Sequence, residues 1–373
     1  MSLPLQATRR AVEHRKRLAE LFPWTTSPLL IGAPMRVFSG PAMAVAVSRA
    51  GGLGFIGPGT TPEASSTDLA EATKLLKETP LKAAAATTPT PSLLPIGVGF
   101  QVWNGDLDSA TAAVRTHRPC AVWLFAPRDG QAQLDTWTAA LRAASPGTQV
   151  WVQVGTLQEA VAAAHPSGAD ALVLQGAEAG GHGRASDGIG LVSLLPEVAD
   201  ALHDNTNNTN STNSTPLPLV GAGGIADGRG AVAALGLGAA AVAMGTRFLA
   251  ASEARVDPAY QAEVLRATDG AAHTGRTQLY NHLRGTFGWP AEFSPRGLLN
   301  QSWADHEAGV PFDELQARHD AAVQAGGAAA WGPEGRTATY VSASVGLVRS
   351  VDDAGAIVEQ TRNEIKEILS LMG

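Results

Sequence analysis

Eight short apolar runs, separated by helical patterns, constrain this chain more than any other feature. They are LLIGAP (29–34), GFIG (54–57), IGVGF (96–100), AVWLF (121–125), VWVQV (150–154), DALVLQG (170–176), PLVGAGG (218–224) and AAVAMGT (240–246). Each is apolar at consecutive positions, so a strand built from it must be buried on both faces, as in a parallel sheet. Helical patterns fill the intervals. Thr156 with Glu159 three positions on forms a capping box for a helix over 156–168, whose Leu157, Ala160, Val161 and Ala164 share a face. Residues 131–143 place Leu134, Trp137 and Leu141 on one stripe, and Asp227 can cap a helix carrying Val232 and Leu235. Eight strand–helix units over about 230 residues predict an α/β fold of the (β/α)8, or TIM-barrel, type. A doubly wound sheet is the alternative, though it needs fewer strands.

The rhythm sets the boundaries. Residues 1–27 read as an N-terminal helical segment and 28–250 as the barrel. Two connections are irregular: 81–95, and the polar tract NTNNTNSTNSTP (205–216), expected to be a disordered surface loop. From 251 to 373 the alternation stops, which predicts a mostly helical appendage over the catalytic face. Its last part, 341–373, is expected to pack back on the barrel through Ile357, Thr361, Ile365 and Ile368 of an amphipathic helix.

The chain has 373 residues, 45% of them hydrophobic, enough for a large core. Its net charge is -7 and no Lys/Arg cluster stands out, which argues against a nucleic-acid partner. The single cysteine, Cys120, allows neither an internal disulfide nor a cysteine metal site. It lies at the N-terminal side of the fourth strand and reads as a small buried hydrophobe. No secretory h-region, no membrane-length apolar run and no C-terminal serine-lysine-leucine signal is present, so a cytoplasmic location is expected.

Barrel enzymes carry their chemistry at the C-terminal ends of the strands. After strand seven comes GAGGIADG (221–228), where Gly223 and Gly224 expose backbone N–H groups and the helix starting near Asp227 would add its positive end. After strand eight comes MGTRF (244–248), a glycine, a hydroxyl and an arginine. Together these loops predict a phosphate site. After strand one, GAPM (32–35) sets Pro34 and the polarizable Met35 where a flat ring can lie. GLGFIG (52–57) matches a dinucleotide fingerprint, but it follows a helix and runs into Pro58, so it reads as turns entering strand two.

The stretch QGAEAGGHGR (175–184) follows strand six. Gly180 and Gly181 would let backbone approach a planar ligand, and His182 would face that ligand from the loop as a base working near neutral pH. Glu178 either orients a neighbour or caps the next segment. His14, His117, His165 and His203 read as solvated, whereas His273 and His282 could approach the pocket.

These motifs, with QVGTLQEA (153–160), GADALVLQGAEAGGHGR (168–184), AVAMGTRFL and a weaker echo at 341–360, resemble the nitronate monooxygenases, once called 2-nitropropane dioxygenases. The resemblance covers roughly residues 28–250. It implies a TIM barrel holding FMN non-covalently. Ala33, Pro34 and Met35 would lie by the isoalloxazine, Gln175, Gly180 and Gly181 would contact the cofactor, Gly223, Gly224, Gly245 and Thr246 would hold its phosphate, and Gln101, Gln153, Ala222 and Met244 are counted among the further cofactor-binding positions. Gln101 and Gln153 stand where family members commonly carry Asn and Lys, so no cation from strand five would face the flavin. His182 falls on the family's base. The implied reaction takes a nitroalkane or nitronate and O2 to a carbonyl compound and nitrite, without a metal. Competing readings are an NAD(P)H-dependent flavin reductase of the enoyl-acyl-carrier-protein or quinone type, and a non-catalytic binding barrel. An inosine-monophosphate-type dehydrogenase is excluded, because its loop cysteine after strand six is missing. Oligomeric state stays open, a homodimer being one option.

Overall fold

The structure is a computed structural model that describes residues 3–81, 93–164, 168–208, 217–332 and 334–373. The described residues form eleven strands: β1 Leu29–Gly32, β2 Leu53–Ile56, β3 Leu94–Gln101, β4 Pro119–Phe125, β5 Gln149–Val154, β6 Ala171–Gln175, β7 Gly181–Arg184, β8 Leu219–Ala222, β9 Ala241–Met244, β10 Thr274–Arg276 and β11 Phe293–Leu298. Strands β1–β6, β8 and β9 form a closed parallel barrel, shut by pairing of Leu30 with Val242 and Ile31 with Ala243. All eight apolar runs became its staves. The fold is a TIM barrel.

Burial on both faces follows from this closure. Leu30, Ile56, Val98, Val122, Val152, Leu172 and Val242 point outward under the helices. Ile31, Phe55, Trp123, Trp151, Val173 and Val220 point inward. Phe55, Trp123 and Trp151 contact one another edge-on or tilted, at 5.3–6.4 Å. Phe22, just after the helix Leu3–Leu21, meets Trp151 at 6.0 Å and plugs the interior from that side. The barrel is therefore a packed core with one usable end.

Local signals explain the helices. The Thr156 hydroxyl accepts from Glu159 N–H at 3.1 Å, starting the helix Leu157–Ala164. Asp106 caps Leu107–His117 in the same way. Leu134, Trp137 and Leu141 are the buried stripe of Gly130–Ala144. Cys120 is buried, with its thiol pushed far up by desolvation and set against the Ile96 carbonyl. No described helix is long and apolar enough to cross a membrane.

Several expectations need correction or lie out of reach. The region beyond Ala250 is mostly helical and also holds two strands: β10 and β11 pair antiparallel and extend onto β7, the segment carrying His182. These strands are short and polar, and Pro295 stands opposite His182 in the central one, where a proline ordinarily argues against a strand. The polar tract 205–216 begins within the helix Leu191–Asn208, and its remainder lies outside the described residues, as do 82–92 of the irregular connection and His165. His203 is buried rather than solvated. The half-buried His14 is lowered to about 4 by burial and by Arg17. The C-terminal helix Ala354–Met372 packs against Gly228–Gly236 and Pro41–Arg49. Arg362 donates to the carbonyls of Ala50 and Gly51 there.

Candidate active site

A cavity of about 300 Å³ opens at the C-terminal ends of the barrel strands. Ala33, Pro34 and Met35 after β1, Gln101 of β3, Gln153 of β5 and Gln175 of β6 line it. So do Gly180, Gly181 and His182, then Ala222, Gly223 and Gly224 at β8, and Gly245 and Thr246 after β9. Met244 does not. Its side chain is fully buried in the layer between sheet and helices, because neighbouring strand residues point to opposite faces.

Glycines shape the walls. A Cβ at Gly57 would sit 2.1 Å from the Met35 carbonyl oxygen, and one at Gly99 would sit 2.4 Å from Pro34 Cβ. These residues let the Ala33–Met35 corner press onto β2 and β3. Gly54 likewise abuts the backbone of Ala44, so the glycines of GLGFIG serve packing. Gly180 lines the cavity and also serves packing: a Cβ there would meet the Val341 backbone at 2.3 Å, so it admits residues 341–342 to the rim. Gly181 is the open one, with φ +67° and nothing within 4 Å of its would-be Cβ.

The expected anion end changes its donors. The N-terminus of the helix Gly228–Gly236 is already satisfied: Asp227 accepts from Arg229 N–H and Gly230 N–H, and Glu364 accepts from Gly228 N–H at 2.7 Å. Arg247 also turns away, to Asp352 at 2.6 Å. What remains is the left-handed pair Gly223 and Gly224, and the short helix Thr246–Leu249, whose N-cap Gly245 offers no side chain. The Thr246 hydroxyl accepts from Ser342 N–H at 2.9 Å, which leaves its own proton to give.

The amide wall is neutral and ordered. Trp123 Nε1–H donates to Gln153 Oε1 at 2.8 Å, so Gln153 has its NH2 group left to offer. Gln175 Nε2–H donates to the His182 carbonyl at 3.2 Å. Glu178 accepts from Leu191 N–H at 3.0 Å and caps the helix that starts there.

His182 is held from three sides. Its ring stacks on Trp289 at 3.7 Å and 10°, and Tyr340 meets it edge-on at 5.8 Å. Asn281 Nδ2 lies 2.9 Å from its Nε2. Burial, reinforced by the charges of Arg284, Arg276 and Arg36, lowers its pKa to about 3, so the imidazole is neutral at ordinary pH. None of these partners carried a sequence signal, since Asn281 and His182 are 99 residues apart. His273 and His282 do not line the cavity: His273 bonds the Thr268 carbonyl and His282 stacks on Phe287.

Arg276 organises the loop carrying His182. It donates to the carbonyls of Ala177, Ala179, Gly181 and Ser294. Burial lowers its pKa to about 10, which leaves it charged. Arg276→Met should leave these carbonyls unpaired and cost about 2–4 kcal/mol. Thermal or urea unfolding measures this, and an unchanged midpoint would show that water replaces the guanidinium.

The cavity fits a flavin. Gly181 and Gly245 leave open space where side chains would otherwise stand, the neutral amides of Gln101, Gln153 and Gln175 line the cavity, and Gly223, Gly224, Gly245 and Thr246 bring backbone and a hydroxyl to the ends of β8 and β9. No described lining residue is a carboxylate, and no described His/Cys/Asp/Glu group could hold a metal ion.

The nitronate monooxygenase family model matches residues 16–278. The nitronate monooxygenase npaC of Metarhizium robertsii is 62% identical, covering 96% of each chain. A nitronate monooxygenase of Neurospora crassa is 34% identical over 94% of this chain and 92% of its own. Among solved structures, a nitroalkane oxidase from Streptomyces ansochromogenes superposes with TM-score 0.69 at 24% identity, over 95% of this chain and 99% of that one, a likeness of fold. Together with the barrel and its cavity, these place the chain in the nitronate monooxygenase family, flavin-dependent oxidoreductases of nitronate metabolism.

Proposed function

We propose that this protein binds FMN in the barrel mouth and oxidises alkyl nitronates, and nitroalkanes by way of their nitronates, with O2 to a carbonyl compound and nitrite. The observation that carries this reading is the neutral His182 imidazole, stacked on Trp289 inside a cavity that Arg36 and Arg284 line and no described carboxylate does. Gly223, Gly224, Gly245 and Thr246 would hold the FMN phosphate; Ala33, Pro34 and Met35 would flank the ring, with the Gln101, Gln153 and Gln175 amides at its polar edge. Bound FMN supplies an electron acceptor for the nitronate and a route for electrons to dioxygen.

The chain's own groups do the rest. Arg36 and Arg284 favour an anionic substrate, and Trp289 and Phe125 exclude water from its apolar part. A neutral nitroalkane first gives its α-proton to His182, and the electron pair of the broken C–H bond delocalises onto the nitro oxygens. Aerobic assays with ethyl nitronate test the proposal: nitrite should appear with oxygen uptake and without NADH or NADPH. Turnover that needs NADH or NADPH and yields no nitrite would favour a reductase.

Protonation of His182 sets the acid side of nitroalkane turnover. Its pKa lies below the ordinary 6.5, so the base stays competent as pH falls through that value and is lost only nearer 3. The acid limb of kcat/KM for nitroethane should therefore lie well below pH 6.5. A limb at or above that value would contradict the environment described.

A further inference from the structure

The Asn281 side chain lies between two groups whose hydrogen-bonding sense cannot reverse. At one end the Phe293 carbonyl, an obligate acceptor, takes the Gln278 Nε2–H at 2.6 Å. That turns Gln278 Oε1 toward Asn281, whose Nδ2 donates to it at 2.7 Å. At the other end Arg284, an obligate donor, gives Nη1–H to the Tyr340 hydroxyl at 3.1 Å. The Tyr340 proton then goes to Asn281 Oδ1, also at 3.1 Å. Both ends orient the Asn281 amide the same way. A reversed amide would set oxygen against oxygen at Gln278, and Asn281 is only 1% exposed, out of reach of rescue by bulk water. The second Nδ2–H of Asn281 is thereby aimed at His182 Nε2, 2.9 Å away. His182 carries its proton on Nδ1 in this arrangement, and its Nε2 lone pair is occupied.

We propose that Asn281 is a positioning residue that ties up the His182 lone pair in the resting site and so sets the preference of the enzyme for preformed nitronate over neutral nitroalkane. The inference rests on the nitronate-oxidising reading above. A nitronate arrives as an anion and needs no base. A neutral nitroalkane requires Nε2 to be released before the α-C–H bond breaks, the proton forms an N–H bond at Nε2, and the electron pair passes to the nitro group. The charged or titratable groups around the ring act in the same sense: Arg36 after β1, Arg276 on β10, and Arg284 and Tyr340 from the later segment all disfavour or fail to stabilise an imidazolium.

The test is kcat/KM for nitroethane and for ethyl nitronate across pH, in the holoenzyme and in Asn281→Ala, Gln278→Met and His182→Asn. The Trp289 stack keeps the His182 ring in place when Asn281 is removed. The nitroethane-to-nitronate ratio should rise about tenfold in Asn281→Ala. Its nitroethane acid limb should also shift, because the hydrogen bond between Asn281 and Nε2 is gone. Gln278→Met, which only unpins the amide, should move both quantities the same way by less, and it decides the matter if Asn281→Ala does not fold. A ratio that stays constant or falls, with an unmoved acid limb, overturns the role of Asn281 while leaving the base reading intact. Nitroethane turnover that survives in His182→Asn overturns the base reading, and this inference with it.

Discussion

His182→Asn is expected to lower kcat/KM for neutral nitroethane by about 10²–10⁴-fold, the usual worth of a general base, and to lower it far less for ethyl nitronate. The split follows from the site. Asparagine can still hydrogen-bond at the cavity wall, but it cannot take a proton at neutral pH. On the proposed reading an anion is drawn in by Arg36 and Arg284, which line the cavity and which the substitution leaves alone. Steady-state kinetics on both substrates reads the split directly. Equal losses on both would mean that His182 acts on the nitronate itself, by orientation or charge, and not on the α-proton.

The second large effect concerns the cofactor. Gly245 has φ -110° and ψ -72°, a conformation that any residue adopts, and the nearest atom to a would-be Cβ is Met35 Sδ at 3.8 Å. Gly245→Val should therefore fold normally, with its melting temperature within about 3 °C of the parent. Its isopropyl group would fill the anion end of the cavity. FMN affinity should fall at least about 100-fold. Apoprotein titrated with FMN and followed by flavin fluorescence quenching checks this. A variant that still binds FMN tightly would place the phosphate elsewhere.

The barrel was legible because parallel strands buried on both faces leave a strong mark. The run IGVGF sits within β3 Leu94–Gln101 and AVWLF within β4 Pro119–Phe125. The cavity-facing glycines were legible too, since they follow those runs directly. What stayed hidden had physical reasons. Strands β7, β10 and β11 draw their order from one another rather than from alternation, and a proline interrupts the middle one. The wall made by Asn281, Arg284, Trp289 and Tyr340 comes from segments roughly 100 to 160 residues beyond His182, joined to it only by tertiary contacts. Strand-end position alone did not separate Met244 from its neighbour Gly245, because consecutive residues face opposite sides of the sheet. The Asp227 helix looked like an anion site from its glycines. Its own capping carboxylate, and Glu364 from the C-terminal helix, had already filled it.

The central claim is that a flavin bound in this barrel accepts electrons from a nitronate. Its most direct test is an anaerobic titration of the purified, FMN-loaded protein with ethyl nitronate, recorded in the visible. The account predicts loss of the oxidised-flavin bands without any nicotinamide, and their return with nitrite release once air is admitted. Bands that stay unchanged with nitronate but bleach with NADH or NADPH would contradict it.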